Sequence, residues 1–390
     1  MIQPAGESGS KTQSRPAKDL SVQSLRGLAI ILMVAGHVIG SDFSRGMTVA
    51  DDSVWRYSYL LLEDIRMPLF TVISGLVYAM RPVQPGALQG FFKAKGRRLL
   101  IPLVTVGILL FAMQIVIPGT NSKPALSEAW KIVVYGHDHL WFLLAVFIIF
   151  SVVALLDTYG VTSTQRGWAI TLAISAVLFI IVRFPSAWNL FSINGAIRLM
   201  PFFLIGYGMQ RYKLMDLRGW WAAAAGLALA ALFVPRVAVI VGAIDPAPPL
   251  HRTLSFAIGV AGVVLLYSAR HLIRFRFLAW LGGFSFGIYL LHVFGSSASR
   301  MALGKVGVES EIAVFVICLI LALGLPILFI KLFGRWNPVR VGILGEKRLP
   351  KKDVPVEDTQ GQDSTRGLRN NRGTERTDSD FQAIDVSDGR

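Results

Sequence analysis

Arg26 and His37 stand eleven residues apart in the apolar stretch SLRGLAIILMVAGH. An α-helix turns about 100° and rises about 1.5 Å per residue, so eleven steps return to within about 20° of the starting face, displaced by about 16 Å. Both ionisable side chains therefore lie on one stripe of an otherwise oily helix. A lone Arg at a helix end would serve as an interfacial anchor. His37 asks for more, because lipid cannot solvate an imidazole, and such a residue is expected to face a bundle interior or a water-filled cavity. Imidazoles titrate near neutral pH, so the chemistry within reach is proton transfer.

Three further stretches add to this reading. YSYLLLEDIRMPLFTVISGLVYAM carries Glu63, Asp64 and Arg66 within four positions. Three such groups at the hydrocarbon edge favour a polar cavity, although a Glu63–Arg66 pair at i,i+3 would also suit a helix surface. Pro68 follows and frees backbone carbonyls, which a polar wall tolerates. HDHLWFLLAVF places His137, His139 and Trp141 at the start of another apolar run, where Trp141 also fits an aromatic belt. In LGGFSFGIYLLHVF, Ser285, Tyr289 and His292 follow spacings of four and three and share a face. Ordinary hydroxyl packing between helices would explain that triplet alone. Three histidine-bearing segments and an acidic–basic cluster at similar depth favour a site.

The elements that must hold these groups are membrane helices. Of the 390 residues, 53% are hydrophobic and only 16% charged, with a mean hydropathy of +0.55. Ten apolar segments approach the length needed to cross a bilayer, near 22–40, 57–80, 99–117, 139–157, 168–183, 197–210, 219–241, 253–269, 277–297 and 311–333. The fold class is all-α, a polytopic membrane protein of about ten transmembrane helices. Basic clusters alternate with neutral or acidic loops such as PGTNSKPALSEAW, which places both termini in the cytoplasm. The net charge of +15 sits in those clusters and suits anionic lipid, so nucleic acid is not an expected partner. Cys318 is the single cysteine, which excludes an intrachain disulfide. The histidines lack a compact ligand spacing, so no metal is expected. Residues 1–20 and 341–390 read as disordered cytoplasmic tails flanking a membrane domain over 21–340.

The stretches SLRGLAIILMVAGH, RMPLFTVISG, KAKGRRLLIPL, HLWFLLAVF, PFFLIGYG and LGGFSFGIYLLH, in this order, resemble the acyltransferase family 3 membrane proteins. The resemblance implies a ten-helix enzyme of the bacterial inner membrane that moves an acyl group onto a hydroxyl of a carbohydrate or lipid-linked acceptor. Acyl-CoA, by default acetyl-CoA, is the implied donor, and no tightly bound cofactor is implied. The family's Arg–ten–His motif maps onto Arg26 and His37, and its basic stretch onto Lys95, Arg97, Arg98 and Pro102. Lys95 stands where many members carry Arg, a point charge in place of a bidentate fork. Arg66 stands where many carry His, which shifts weight to His37. Acyl transfer then needs a base, for which His37 is the expected residue with Glu63 or Asp64 orienting its ring. Arg26, Lys95, Arg97 and Arg98 would bind the donor's phosphates. Arg66, His139, Trp141, Ser285, Tyr289 and His292 are unranked candidates for contacting substrate or the oxyanion. The rival reading is a transporter or flippase for a glycan or amphiphile, which also uses buried Arg and His.

Overall fold

The computed structural model describes residues 19–120, 122–213 and 219–349. Among them eleven α-helices account for the architecture, and no strand occurs. They are α1 (Leu20–Ile39), α2 (Val54–Ala79), α3 (Leu88–Val116), α4 (Trp141–Thr158), α5 (Gln165–Ile181), α6 (Ile193–Arg211), α7 (Trp220–Ile240), α8 (Pro248–Ser268), α9 (Arg276–Gly283), α10 (Ser285–Val306) and α11 (Glu311–Phe333). Local chemistry sets several of their ends. Asp19 and Ser53 accept from the backbone N–H groups of Ser21 (2.8 Å) and Arg56 (3.2 Å), capping α1 and α2. Gly307, at φ +76°, ends α10 in the left-handed conformation that glycine adopts without strain.

All ten apolar stretches are helical, but the ninth is not one rod. It breaks at Phe284, which has non-helical backbone angles (φ −95°, ψ 2°), and α9 meets α10 at 80°. Among the described residues seven helices are long and apolar enough to cross a membrane, or eight when α9 and α10 count as one span. The two others differ for physical reasons. α5 has only 17 residues, and α2 carries Arg56, Glu63, Asp64 and Arg66. Neighbouring helices shield those charges, since α2 packs against α1, α6, α7 and α8. By contrast only 17% of the apolar window of α7 and 22% of that of α11 is buried, against 56% for α1 and α4. The peripheral helices turn apolar faces outward, although α7 still directs Arg236 into the interior.

Glycines let the interior helices touch backbone to backbone. A Cβ at Gly206 of α6 would stand 2.0 Å from the Val72 carbonyl oxygen, and one at Gly75 of α2 would stand 2.1 Å from that of Phe203. Close packing of this kind drives helix association where no hydrophobic effect operates. Gly206→Ala must push α2 and α6 apart, with an expected loss of about 1–3 kcal/mol of stability. Thermal unfolding in detergent measures it, and an unchanged midpoint would contradict the close approach.

Residues 341–349 of the tail expected from residue 341 are described, and the first of them are ordered. Val339–Ile343 forms a single π-type helical turn, and Leu344 is buried. Thr105 of α3 donates to the Gly342 carbonyl, and Arg98 donates to that of Leu344 at 2.6 Å. Two polar side chains of α3 thus fasten this segment, whose Val339 and Leu344 are buried. The expected tails at 1–18 and 350–390 lie outside the described residues.

Candidate active site

Three imidazoles from three helical segments meet inside the bundle. His37 in the last turn of α1 lies 4.9 Å, ring centre to ring centre, from His292 of α10 and 5.9 Å from His139 just before α4. His139 and His292 are 4.7 Å apart, and Tyr289 packs edge-on against His139 at 5.3 Å. His139, Tyr289 and His292 are buried, whereas His37 is accessible. One exposed histidine thus stands beside two buried ones.

Hydrogen bonds define what each ring can do. His292 Nδ1 lies 2.9 Å from the Tyr289 carbonyl and 3.1 Å from that of Ile288. Carbonyls only accept, so this nitrogen carries the proton and Nε2 keeps its lone pair. That Nε2 is buried without a protein hydrogen-bond partner, as are both ring nitrogens of His139. Buried polar atoms are normally bonded, so these nitrogens stand out as hydrogen-bonding capacity within the cluster. Tyr289 Oη donates to the His139 carbonyl at 2.7 Å, which the Trp141 N–H also reaches, and so ties α10 to the start of α4. Tyr289→Phe removes one of those two bonds, at an expected cost of about 1 kcal/mol in thermal unfolding.

Arg66 belongs to the same neighbourhood. Its guanidinium covers the Tyr59 ring at 4.2 Å and fills the space beside Gly36, where a Cβ would fall 1.2 Å from Nη1. Gly36 is adjacent to His37, so the missing side chain admits the cation next to the imidazole. Trp141 packs on Gly195 of α6, two residues from His139. Ser285 is buried at the start of α10, about 10 Å of helix rise from His292, and is not brought to the cluster.

Glu63 and Asp64 were expected to orient His37, and the packing gives them other partners. Arg198 of α6 meets Asp64 at 2.9 Å and Glu63 at 3.8 Å, while Arg236 of α7 meets Asp64 at 3.3 Å and Glu63 at 3.9 Å. Arg236 also contacts His251 Nε2 at 3.0 Å and the Leu60 carbonyl at 3.2 Å. The reason is helical geometry. Asp64 and Arg66 differ by about 200° around α2, so they face opposite sides. The buried guanidinium of Arg236 also demands a counter-ion, while that of Arg198 remains partly exposed. From the sequence Arg236 reads only as an interruption of the seventh apolar stretch and Arg198 carries no reading, although a charged residue inside an apolar run was the available signal.

The loop between α1 and α2 is fastened beside this region. Buried Arg56 donates to the carbonyls of Gly40 and, at 3.2 Å, Val49, and it pairs with Asp51 at 3.2 Å. Arg45 bridges Asp42 (3.5 Å) and Asp138 (3.9 Å), the residue before His139. Hydroxyls of Ser44 and Ser41 donate to the Asp42 carboxylate and hold it below the usual range.

At the other end of α1 the cations gather. Arg98 of α3 lies over the Phe286 ring at 4.2 Å, and Arg26 lies close enough for the two like charges to act on each other. Lys95 Nζ sits 3.6 Å over Phe150 and 5.5 Å over Phe91. Arg97 Nε is buried with no hydrogen-bond partner. Phe286 and His292 are six residues apart on α10, about 9 Å of rise, and Arg26 and His37 about 16 Å apart on α1. Cations at one level and imidazoles at another are thus joined by two helices. Beside Lys95 a second buried network ties α2, α4 and α6, where Tyr78 and Tyr207 donate to Asp157 at 2.6 Å and 2.8 Å. No group of three His, Cys, Asp or Glu among the described residues is disposed to hold a metal ion.

No curated protein and no solved structure compared with the chain matches it. One family model, described as Acyltransferase domain, matches residues 19–331 and so takes in every helix except the last two residues of α11. The chain, built of multiple apolar helices and matched over most of its length, belongs to this acyltransferase family.

Proposed function

We propose that the protein is an O-acyltransferase of the bacterial inner membrane, with ten spans and both termini in the cytoplasm. It would transfer an acyl group, acetyl by default, from acyl-CoA to a hydroxyl of a carbohydrate or lipid-linked acceptor. The observation that carries this reading is the accessible His37 ring backed by His139 and His292, one helix length from Arg26, Lys95, Arg97 and Arg98. In the proposed step His37 removes the acceptor's hydroxyl proton as the oxygen attacks the thioester carbonyl carbon. The carbon–sulfur bond then breaks, and the thiolate leaving group takes the proton back from the imidazolium. Arg66, held beside His37 by the absence of a side chain at Gly36, would stabilise the oxyanion. Phosphates of the donor would meet the cations at the far end, Lys95 as a point charge and the arginines as forks.

The test is thiol release from acetyl-CoA by purified protein in detergent, with and without envelope glycans as acceptor. Acceptor-dependent release of free thiol supports the reading. Glycan flux into liposomes without any CoA, and no thiol release, would favour a transporter.

A further inference from the structure

The residues after α11 supply a carboxylate to the cation cluster. Glu346 pairs with Arg98 at 3.1 Å and with Arg340 at 3.4 Å. Its position is well defined. Gly345 has φ +63°, and a Cβ there would fall 2.6 Å from the Arg97 carbonyl oxygen. The Gly345 N–H donates to Val341 O at 3.2 Å, and that of Glu346 to Arg340 O at 2.8 Å. Arg340 also donates from Nε to the Lys347 carbonyl at 2.8 Å. The strap thus lays an arginine and a glutamate against the basic start of α3. Both lie beyond residues 19–331, where the family match ends.

Charge decides what the strap does there. Arg26, Lys95, Arg97, Arg98 and Arg340 bring five positive groups into one region, and Glu346 is the carboxylate that Arg98 and Arg340 share. Glu346 keeps 23% of its side chain exposed and Arg98 35%, so an anion arriving from outside can reach the pair. A carboxylate between two guanidiniums occupies the geometry that a phosphate would take. Arg97, with a buried Nε lacking a partner, adds unused donor capacity to the same turn of α3.

We propose that Arg340 is a further ligand of the donor's phosphate groups, and that Glu346 is the resident anion which those phosphates displace from Arg98 and Arg340. This rests on the reading of acyl-CoA as donor. Glu346 sets a threshold on donor binding, because a phosphate must first break two charge-assisted contacts. The strap therefore lowers the affinity for the donor while keeping both guanidiniums aligned.

The experiment is calorimetric titration of the full chain in detergent with coenzyme A, alongside thermal unfolding of each variant. Arg98→Gln and Arg340→Gln are each expected to weaken binding by about tenfold. Glu346→Gln, which keeps size and loses charge, is expected to tighten it about three- to tenfold. Wild-type protein adds a readout that needs no variant: coenzyme A should speed hydrogen exchange at the amides of Gly345 and Glu346. Weaker binding by Glu346→Gln, or unchanged binding by Arg340→Gln, overturns the proposal. So does exchange at those amides that coenzyme A leaves unchanged or slows. If Arg98→Gln weakens binding while both strap variants match wild type, only the strap assignment falls. If wild-type protein does not bind coenzyme A, the donor reading falls, and this proposal with it.

Discussion

His37→Ala in the purified protein is expected to lower the rate of acyl transfer by about 10²–10⁴, the range a positioned general base contributes. The Michaelis constant for the donor should change little, because the proposed phosphate contacts lie about 16 Å away along α1. The fold should survive. His37 is accessible, and no hydrogen bond of its side chain holds the helices together as Tyr289 Oη does. Added imidazole should restore part of the rate by entering the opened space. Transfer at the wild-type rate would remove His37 from the chemistry and point to His292, whose Nε2 lone pair is also unpartnered. Measuring His292→Gln beside it separates the two rings. His292→Gln should lose less than His37→Ala, since its buried ring stands behind the accessible one.

The second large effect concerns stability. Asp64→Ala is expected to cost about 3–5 kcal/mol, read as a fall in the thermal unfolding midpoint. Asp64 and Arg236 keep only 3% and 5% of their side chains exposed, so screening by water is slight at this pair. Removing the carboxylate leaves Arg236 with Glu63 as its remaining acidic contact, at 3.9 Å, and the buried guanidinium underneutralised. The double variant Asp64→Leu, Arg236→Met should be milder than either single change, because apolar groups of similar size replace a buried pair at little cost. Asp52→Ala, in an exposed stretch of the first loop, should stay within about 0.5 kcal/mol of wild type. An Asp64→Ala protein that melts like wild type would show that the network contributes nothing to the packing of α2, α6 and α7.

How far the candidate site could be read from residues alone depended on whether its members share a helix. Arg26 and His37, or Tyr289 and His292, are related by helical spacing, and spacing is visible in the chain. The meeting of His37 with His139 and His292 is not, since it depends on how α1, α4 and α10 pack. Similar depth was legible, and contact was not. Glu63 and Asp64 show the cost of that limit. Depth placed them near His37, while the rotation of α2 turned them toward Arg198 and Arg236. The strap escaped for a different reason. Residues 341–346 (VGILGE) form too short an apolar run to signal an element, and their order comes from Arg98 and Thr105, more than two hundred residues earlier.

What the amino-acid order determined by itself is the solvent each segment requires. A stretch that crosses a bilayer must be helical because lipid satisfies no backbone group, and ionisable side chains within it must point inward. Hydrophobicity and period are local quantities, so they survive without knowledge of neighbours. Tertiary structure alone decided which inward-facing groups touch, where the ninth stretch bends, and which carboxylate answers which guanidinium. Those outcomes turn on rotations of a few tens of degrees about helix axes, set by contacts such as Gly75 with Phe203 and Gly36 with Arg66. No single helix carries that information, because each of those contacts needs two.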